Sequence, residues 1–310
     1  MTADHSGGLV GVMNLKQLEY FVRVAELGSF SKAAMIIDIA QPALSRQVRL
    51  LESDLKATLL TRTGRGVILT EVGQRLFDHS IGILQMVARA TEDIEATRDE
   101  PAGRIVIGLP PSIGRCLTLP LVEAFRRSLP KARLAIVEGL STHLTEWIAT
   151  GRVDLGLVHN PEPNPAIEVT PVLDEALGLI GPVAAEPSPS GPLPLAELVD
   201  YPLILPERSH AMRKLLETQA AYADLKLTVV MEVSSVPSIL DLVAAGYGHA
   251  VLTATALAAS GRPDAFWLRP LETPALTSTL FIAQSAQKPI TPLGRRAMRL
   301  LKDLVTTARP

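Results

Sequence analysis

The stretch SFSKAAMIIDIAQPALSRQVRLLE, Ser29–Glu52, constrains the fold more tightly than any other part of the chain. Two apolar periods of helical spacing stand only a few residues apart. Pro42 sits where proline suits the first turn of a new helix. Leu44, Val48 and Leu51 are predicted to face inward from that helix, and Gln41, Ser45, Arg46 and Arg49 outward. Just upstream, LKQLEYFVRVAELG places Leu15, Leu18, Phe21, Val22 and Ala25 on one helical face. Gly28 suits the left-handed residue that ends a helix, and Ser29 or Ser31 can cap the next one, which runs through Ile37. The expectation is three helices, the last two joined by a short turn.

The following LLTRTGRGVILTEVG predicts a short hairpin, because two glycines flank Arg65 and a β-branched run follows. Thr70 then caps a long helix from Glu71 to about Arg98. Gly73, Leu76, Ser80, Ile83, Val87, Ala90 and Ile94 form a 3-4-3-4 seam along it. Such a seam predicts a partner helix from a second copy of the chain.

At DEPAGR the pattern changes. Pro101 and Gly103 punctuate, and short aliphatic segments then alternate with helical ones: RIVIGL, RLAIVEG, VDLGLVH, LTVVMEV, GHAVLT, STLFIAQ. That alternation predicts an α/β body with largely parallel sheets. The Pro-rich stretch from Asn160 to Pro206 is expected to carry a crossing between two lobes, with STLFIAQ returning to the first.

Composition narrows the functions. A chain of 310 residues with 47% hydrophobic and 20% charged residues has enough apolar material for two or three domains. No run reaches the roughly 18 apolar residues of a membrane span, and MTADHSGGLVGVMNL lacks the basic start and apolar core of a secretory signal. With one cysteine, Cys116, an internal disulfide framework is excluded, so a cytoplasmic setting and no membrane partner are expected. The formal charge of −2 conceals a division. Residues 14–66 carry eight Lys/Arg against five Asp/Glu, whereas residues 153–207 carry nine acids and no Lys or Arg.

In this order, LKQLEYFVRVAELGSFSKAA, QPALSRQVRLLE, TRTGRGVILTEVG, a long helix and RIVIGL resemble the LysR-type transcriptional regulators, over residues 13 to about 300. LLTRTGRGVILTEVG is most similar to the branch of nitrogen-assimilation and cysteine-biosynthesis regulators. The resemblance implies a winged helix-turn-helix, a dimerising linker helix and a two-lobed effector domain like a periplasmic binding protein. The expected boundaries are a flexible extension over 1–12, a DNA-binding domain over 13–70 with its helix-turn-helix at about 30–49, and a linker over 71–102. The effector domain follows at 103–310, with lobe I at about 103–172 and 275–310 and lobe II at about 173–274. Two departures from the family stand out. Ala40 replaces the usual Ser or Thr before Gln-Pro, removing a cap worth roughly 1 kcal/mol, and Lys56 and Leu60 stand where the family usually has Gly and Phe.

An α-helix fits the major groove of B-DNA, and a helix-turn-helix presents the first residues of its second helix to base edges. Gln41 suits an adenine edge, Pro42 a thymine methyl, Ser45 either base type, and Arg46 the two-pronged contact with guanine. Arg49, Ser31 and Lys32 suit phosphates, as do Arg62 and Arg65 on the wing, which can also enter a minor groove. The bland alternative is a solvated helix face; the preceding helices and the wing arginines weigh against it.

Ligands of open α/β sheets collect beyond the carboxyl ends of strands, near helix N-termini. The candidates on that rule are Ser112 and Ile113 in GLPPSIGR, Ser141 and Thr142 in GLSTHLTEW, Ser234 and Ser235 in VSSVPSILDL, and Arg208 and Ser209 in LPERSHAMR. Hydroxyls with one or two cations suit a small organic anion, and many members of the family sense metabolites. The competing explanation of each Ser or Thr is helix capping.

An α/β enzyme and a solute-binding protein are the rival readings. GLSTHL opens like a nucleophile elbow, but His143 replaces its closing glycine. SFSK matches Ser-x-x-Lys by letters alone, within the helical head, and no phosphate loop, dinucleotide fingerprint or metal cluster is present in the sequence. Neither a cofactor nor catalysis is expected, and Cys116 has no resolving partner for redox sensing. The expected partners are a double-stranded DNA operator, a small organic effector and further copies of the chain, as a dimer and a tetramer of paired dimers. RNA polymerase is a further candidate.

Overall fold

The computed structural model describes residues 13–64, 66–95, 101–183 and 191–307. The expected extension over 1–12, Arg65 and residues 96–100 of the expected linker lie outside them. Two compact units result, Met1–Glu95 with Thr150–Arg152, and Ala96–Ala149 with Val153–Pro310.

The first unit opens with three helices, α1 (Leu15–Leu27), α2 (Phe30–Ile37) and α3 (Gln41–Leu55). Local chemistry sets each junction. Asn14 and Gln17 exchange side-chain and backbone hydrogen bonds in a capping box at the start of α1. Gly28 ends α1 at φ 59°, and Ser29 Oγ accepts from the Lys32 N–H to start α2. The start of α3 has Pro42 in its first turn and Ala40 without a capping side chain. Its far end closes on Lys56 at φ 51°, a left-handed conformation that glycine adopts at lower cost.

Leu18, Phe21, Val24, Leu44, Val48 and Leu51 fill the core of this unit, all nearly inaccessible to water. Burying a side chain of this size contributes about 1.5 to 3 kcal/mol. Leu15 is instead exposed. Ser45 also departs from expectation, since it is buried at 6% exposure. It sits one residue past Leu44 and three before Val48, at the margin of the apolar stripe, and packing draws it under.

Strands β1 (Leu60–Thr63) and β2 (Gly66–Leu69) pair antiparallel as the predicted hairpin. Thr70 Oγ1 accepts from the Gly73 N–H and donates to Thr58 O, which caps α4 (Glu71–Glu95) and ties it to the hairpin. The seam along α4 divides. A Cβ on Gly73 would lie 2.0 Å from Leu59 O, so that turn packs on the base of its own hairpin. Leu76 and Ile83 pack against the core of the same unit. The early seam is thus satisfied within the chain, correcting the expectation that all of it waits for a partner. Among its later residues Val87 and Ala90 are exposed, and the side chain of Ile94 lies outside the described set.

The second unit holds one sheet of eight strands in the order β4-β3-β5-β12-β6-β11-β7, with β10 also on β6. Its first lobe comprises β3 (Gly103–Leu109), β4 (Ala132–Glu138), β5 (Leu155–His159), β12 (Thr277–Ser285) and the first half of β6 (Ile167–Pro182). Helices α5 (Pro111–Ser128) and α10 (Pro292–Thr307) cover one face, and α6 (Ser141–Ala149) the other. The second lobe takes the other half of β6 with β7 (Leu193–Pro194), β10 (Ala250–Thr253) and β11 (Phe266–Glu272). A separate pair, β8 (Leu203–Leu205) and β9 (Val229–Glu232), joins it with α7 (Ala211–Tyr222), α8 (Val236–Ala244) and α9 (Ala254–Ala258).

The pairing of β6 switches from β12, through Ala176, to β10 and β11, from Leu177 onward. The outgoing and returning chains meet there, where the Leu177 N–H donates to Leu276 O. The crossing therefore falls a few residues beyond the expected 172/173 and 274/275. The sheets are also less parallel than expected. β3 pairs parallel with β4 and β5, but every pairing of β12 and β10 is antiparallel. The returning strand must run back past β5 to close lobe I, and this imposes the reversal. Among the described residues no helix is long and apolar enough to cross a membrane.

Candidate functional sites

In the first unit the polar side chains of α3 divide sharply by environment. Gln41, Pro42 and Arg46 project into solvent from its first turns, while Leu44 and Val48 anchor the opposite face. Arg46 has no internal partner among the described residues. Arg49 turns back on its own helix, Nε donating to Ser45 O at 3.3 Å. Ser31 and Lys32 are exposed at the start of α2. The Arg62 guanidinium lies 5.5 Å from the centre of the Phe30 ring, a cation–π contact that sets the arginine of the wing beside the start of α2.

In the second unit a cleft of about 610 Å³ opens between the lobes. Lobe I contributes Ser141, Thr142 and Thr145 from α6, then His159 and the loop 160–165 beyond β5. Lobe II contributes Ser209 and the flank of α7 around Lys214 and Thr218. Of the residues expected from sequence, Ser141, Thr142 and Ser209 come together here. Ser112, Arg208, Ser234 and Ser235 are not among the lining residues; Ser112 is half-buried and the other three are exposed. Ile113 is also absent from the lining, and its side chain, 3% exposed, packs in the lobe I core with Leu109 and Leu117. Its place on the inward face of α5 accounts for that.

Sequence reasoning missed His159, Asn160, Glu162 and Lys214. The usable signal was the position of HN at the carboxyl end of β5, where the rule for strand ends applies as well as it does before a serine-rich loop. Asn160 is held at φ 41°, and its amide is clamped in two directions. Its Oδ1 accepts from the Thr279 N–H at 2.9 Å, and its Nδ2 donates to Ser278 Oγ at 3.2 Å. His159 Nδ1 lies 3.2 Å from the same Ser278 hydroxyl, and the His159 backbone N–H donates to Ser141 Oγ at 2.9 Å.

The electrostatics of the cleft are nearly balanced. Glu162 on lobe I and Lys214 on lobe II form an ion pair at 2.7 Å, and the hydrogen bond and charge of Lys214 hold the Glu162 carboxyl below its usual range. Burial pushes His159 down to about 4, with a smaller contribution from the nearby His210. His210, whose Nδ1 accepts from the Met212 N–H at the start of α7, is also lowered by burial, with Glu207 opposing. Both rings are therefore neutral at neutral pH. Elsewhere, His143 stacks on Trp147 with ring centres 6.1 Å apart. Cys116 is free and half-buried, its thiol raised mainly by burial and so kept protonated.

Comparison with known proteins accounts for both sites. Residues 15–74 match the family model of bacterial regulatory helix-turn-helix proteins of the lysR family, and residues 98–306 match the LysR substrate binding domain. A nitrogen assimilation regulatory protein of Klebsiella aerogenes is 30% identical over 295 residues, covering 95% of this chain and 96% of the relative. A full-length OxyR variant from Pseudomonas aeruginosa superposes with a TM-score of 0.70 at 26% identity, covering 94% of each chain. Full-length CbnR in complex with its target DNA has the same fold, with a TM-score of 0.68 at 21% identity over 96% of this chain and 100% of that one. The chain belongs to the LysR family of DNA-binding transcriptional regulators, a helix-turn-helix reading head joined to an effector-binding domain.

Proposed function

We propose that this regulator reads base edges with Gln41, Pro42 and Arg46, holds the DNA backbone with Ser31, Lys32, Arg49, Arg62 and Arg65, and senses a small organic molecule between its two lobes. The observation that carries the reading is the partnerless, exposed Arg46 on a helix whose opposite face is locked into the core. A solvated helix face would need no such one-sided anchoring, no wing and no preceding helix packed at right register. Ser45 leaves the reading set because its side chain is buried.

The chain acts as a dimer, and as a tetramer of paired dimers, through the later part of α4, where Met86, Val87 and Ala90 are exposed. Effector binding shifts the balance between two arrangements of the assembly only if it binds one of them better. The arrangement then governs DNA bending and access of RNA polymerase. Catalysis has no part in this reading. The hydroxyl of Ser141 receives a backbone N–H from His159, and His143 stacks on Trp147.

Selection from a random duplex library with the purified chain tests the reading. The expected product is an imperfect inverted repeat with half-site centres about 10 base pairs, or a multiple, apart. Enrichment of a single unrepeated motif overturns the dimeric reading, and no enrichment at all overturns sequence recognition.

A further inference from the structure

His159 is 4% exposed and lines the cleft, yet its Nε2 has no partner among the described residues. Buried polar atoms are paired in nearly all folded proteins, so an orphan on a cleft wall calls for an explanation. The network around the ring decides which nitrogen carries its hydrogen. Thr279 N–H occupies Asn160 Oδ1, which fixes the amide so that Nδ2 donates to Ser278 Oγ. With that oxygen already accepting, the Ser278 hydroxyl hydrogen turns to His159 Nδ1. The imidazole hydrogen is thereby placed on Nε2, the unpaired atom. Close by, Ser141 Oγ accepts from the His159 backbone and keeps its own hydrogen for the cleft, at the first residue of the nine-residue α6.

We propose that His159 is the specificity-determining donor of this cleft, its Nε2–H held ready for an sp² oxygen of the effector, carboxylate or amide carbonyl, brought to the N-terminus of α6. The proposal rests on the cleft being the effector site, and it goes further by naming the donor, its tautomer and the group it selects. A neutral donor away from water favours an oxygen acceptor and rejects an amine, which would leave both partners with hydrogens facing each other. Ser278 and Asn160 act as positioning residues, because their effect passes through the ring.

Full-length chain labelled with ¹⁵N in its histidines tests this by long-range ¹H–¹⁵N correlation, with acetate, succinate, acetamide and succinamide as probes and ethylamine as a control. The expected result is an Nε2–H tautomer in the free chain and a His159 Nε2 response to the four oxygen probes but not to ethylamine. Carboxylate probes should raise the pKa of His159 and amides should leave it, which separates the two sources of the oxygen. His159→Phe should weaken the responding probes at least tenfold. Ser278→Ala, a smaller change in case that variant fails to fold, should mix the tautomers and weaken them less.

An Nδ1–H tautomer in the free chain overturns the proposal. So does a response of the backbone amides at Ser141 and Thr142 without one at His159, an outcome that leaves the cleft reading standing. Silence of α6 and His159 towards all four oxygen probes overturns both together.

Discussion

The two candidate sites hold their working groups in opposite ways. On the reading head Gln41, Pro42 and Arg46 stand in solvent, partnerless, while the rigidity comes from Leu44, Val48 and Leu51 behind them. In the cleft the working ring, His159, is itself buried and is oriented by the hydroxyl of Ser278, which the amide of Asn160 holds in turn. The difference follows from the two ligands. DNA is large and arrives with its own charge and hydration, so its readers stay extended and soluble; a small molecule must be enclosed, so its donors are fixed in a dry wall. Disturbing a reader should therefore change binding without changing stability, whereas disturbing the cleft should change both.

The largest expected effect breaks the head at its anchor. Leu44→Ala leaves a cavity under the reading helix and should cost about 2 to 5 kcal/mol. Both tryptophans, Trp147 and Trp267, lie in the second unit, so their fluorescence follows that unit alone. Amide exchange should accelerate throughout α1 to α3, with operator binding lost and the tryptophan unfolding transition unmoved. An equal shift in both signals would show that the units unfold as one and would end the comparison as drawn.

Next in size is the acid response of the cleft. His159 is lowered from 6.5 to about 4, so between those values the unfolded chain binds a proton that the folded chain excludes. Stability is full above about pH 6.5 and falls as pH drops toward 4, by about 3 kcal/mol at about 1.4 kcal/mol per pKa unit. His210 and His249, also lowered by burial, act in the same direction. Chemical denaturation between pH 4 and 7.5 measures the slope. His159→Gln should flatten it, and an unchanged slope in that variant would assign the effect to other groups.

Arg46→Ala is the reader's counterpart. Loss of the guanidinium should relax selectivity at one base position by about 1 to 3 kcal/mol, with the melting temperature unchanged. Competition between operator variants differing at single positions reads this directly. A uniform loss across all variants would instead make Arg46 a phosphate contact.

Much of this contrast is legible in the sequence where the cause is local. Gly28, Ser29, Pro42 and Thr70 each mark a helix boundary through their own side chain or its absence, and each boundary falls within a residue or so of where those residues put it. Causes that act at a distance are illegible. Ser45 and Leu15 sit at the margins of apolar stripes, where the period alone does not decide which side is covered. Gly73 and Leu76 read as a free seam because the hairpin and core that receive them leave no trace in the spacing of α4. β6 was hidden by Pro171 and Pro182 within a stretch read only as a crossing, and the partner of His159, Ser278, lies 119 residues away.

The smallest expected effect concerns the two ends of α3, where this chain departs from the family in ways the structure makes intelligible. At the start, Ala40 has the extended backbone of a cap, φ −65° and ψ 130°, but no oxygen to offer the first turn. At the end, Lys56 bears a Cβ at φ 51°, where the family's usual glycine has none. Ala40→Ser should stabilise the first unit by about 1 kcal/mol through a new hydrogen bond to a free backbone N–H. Lys56→Gly should also stabilise it, by about 1 kcal/mol or less, because relief of the left-handed side chain is partly offset by a more flexible unfolded chain. The two ends are 16 residues apart and share no partner, so the double variant should show the sum. Only the first change lies beside the readers. If it also tightens operator binding while Lys56→Gly does not, fraying at Gln41 and Pro42 limits recognition; if neither alters binding, the anchors Leu44 and Val48 alone hold the head firmly enough to read.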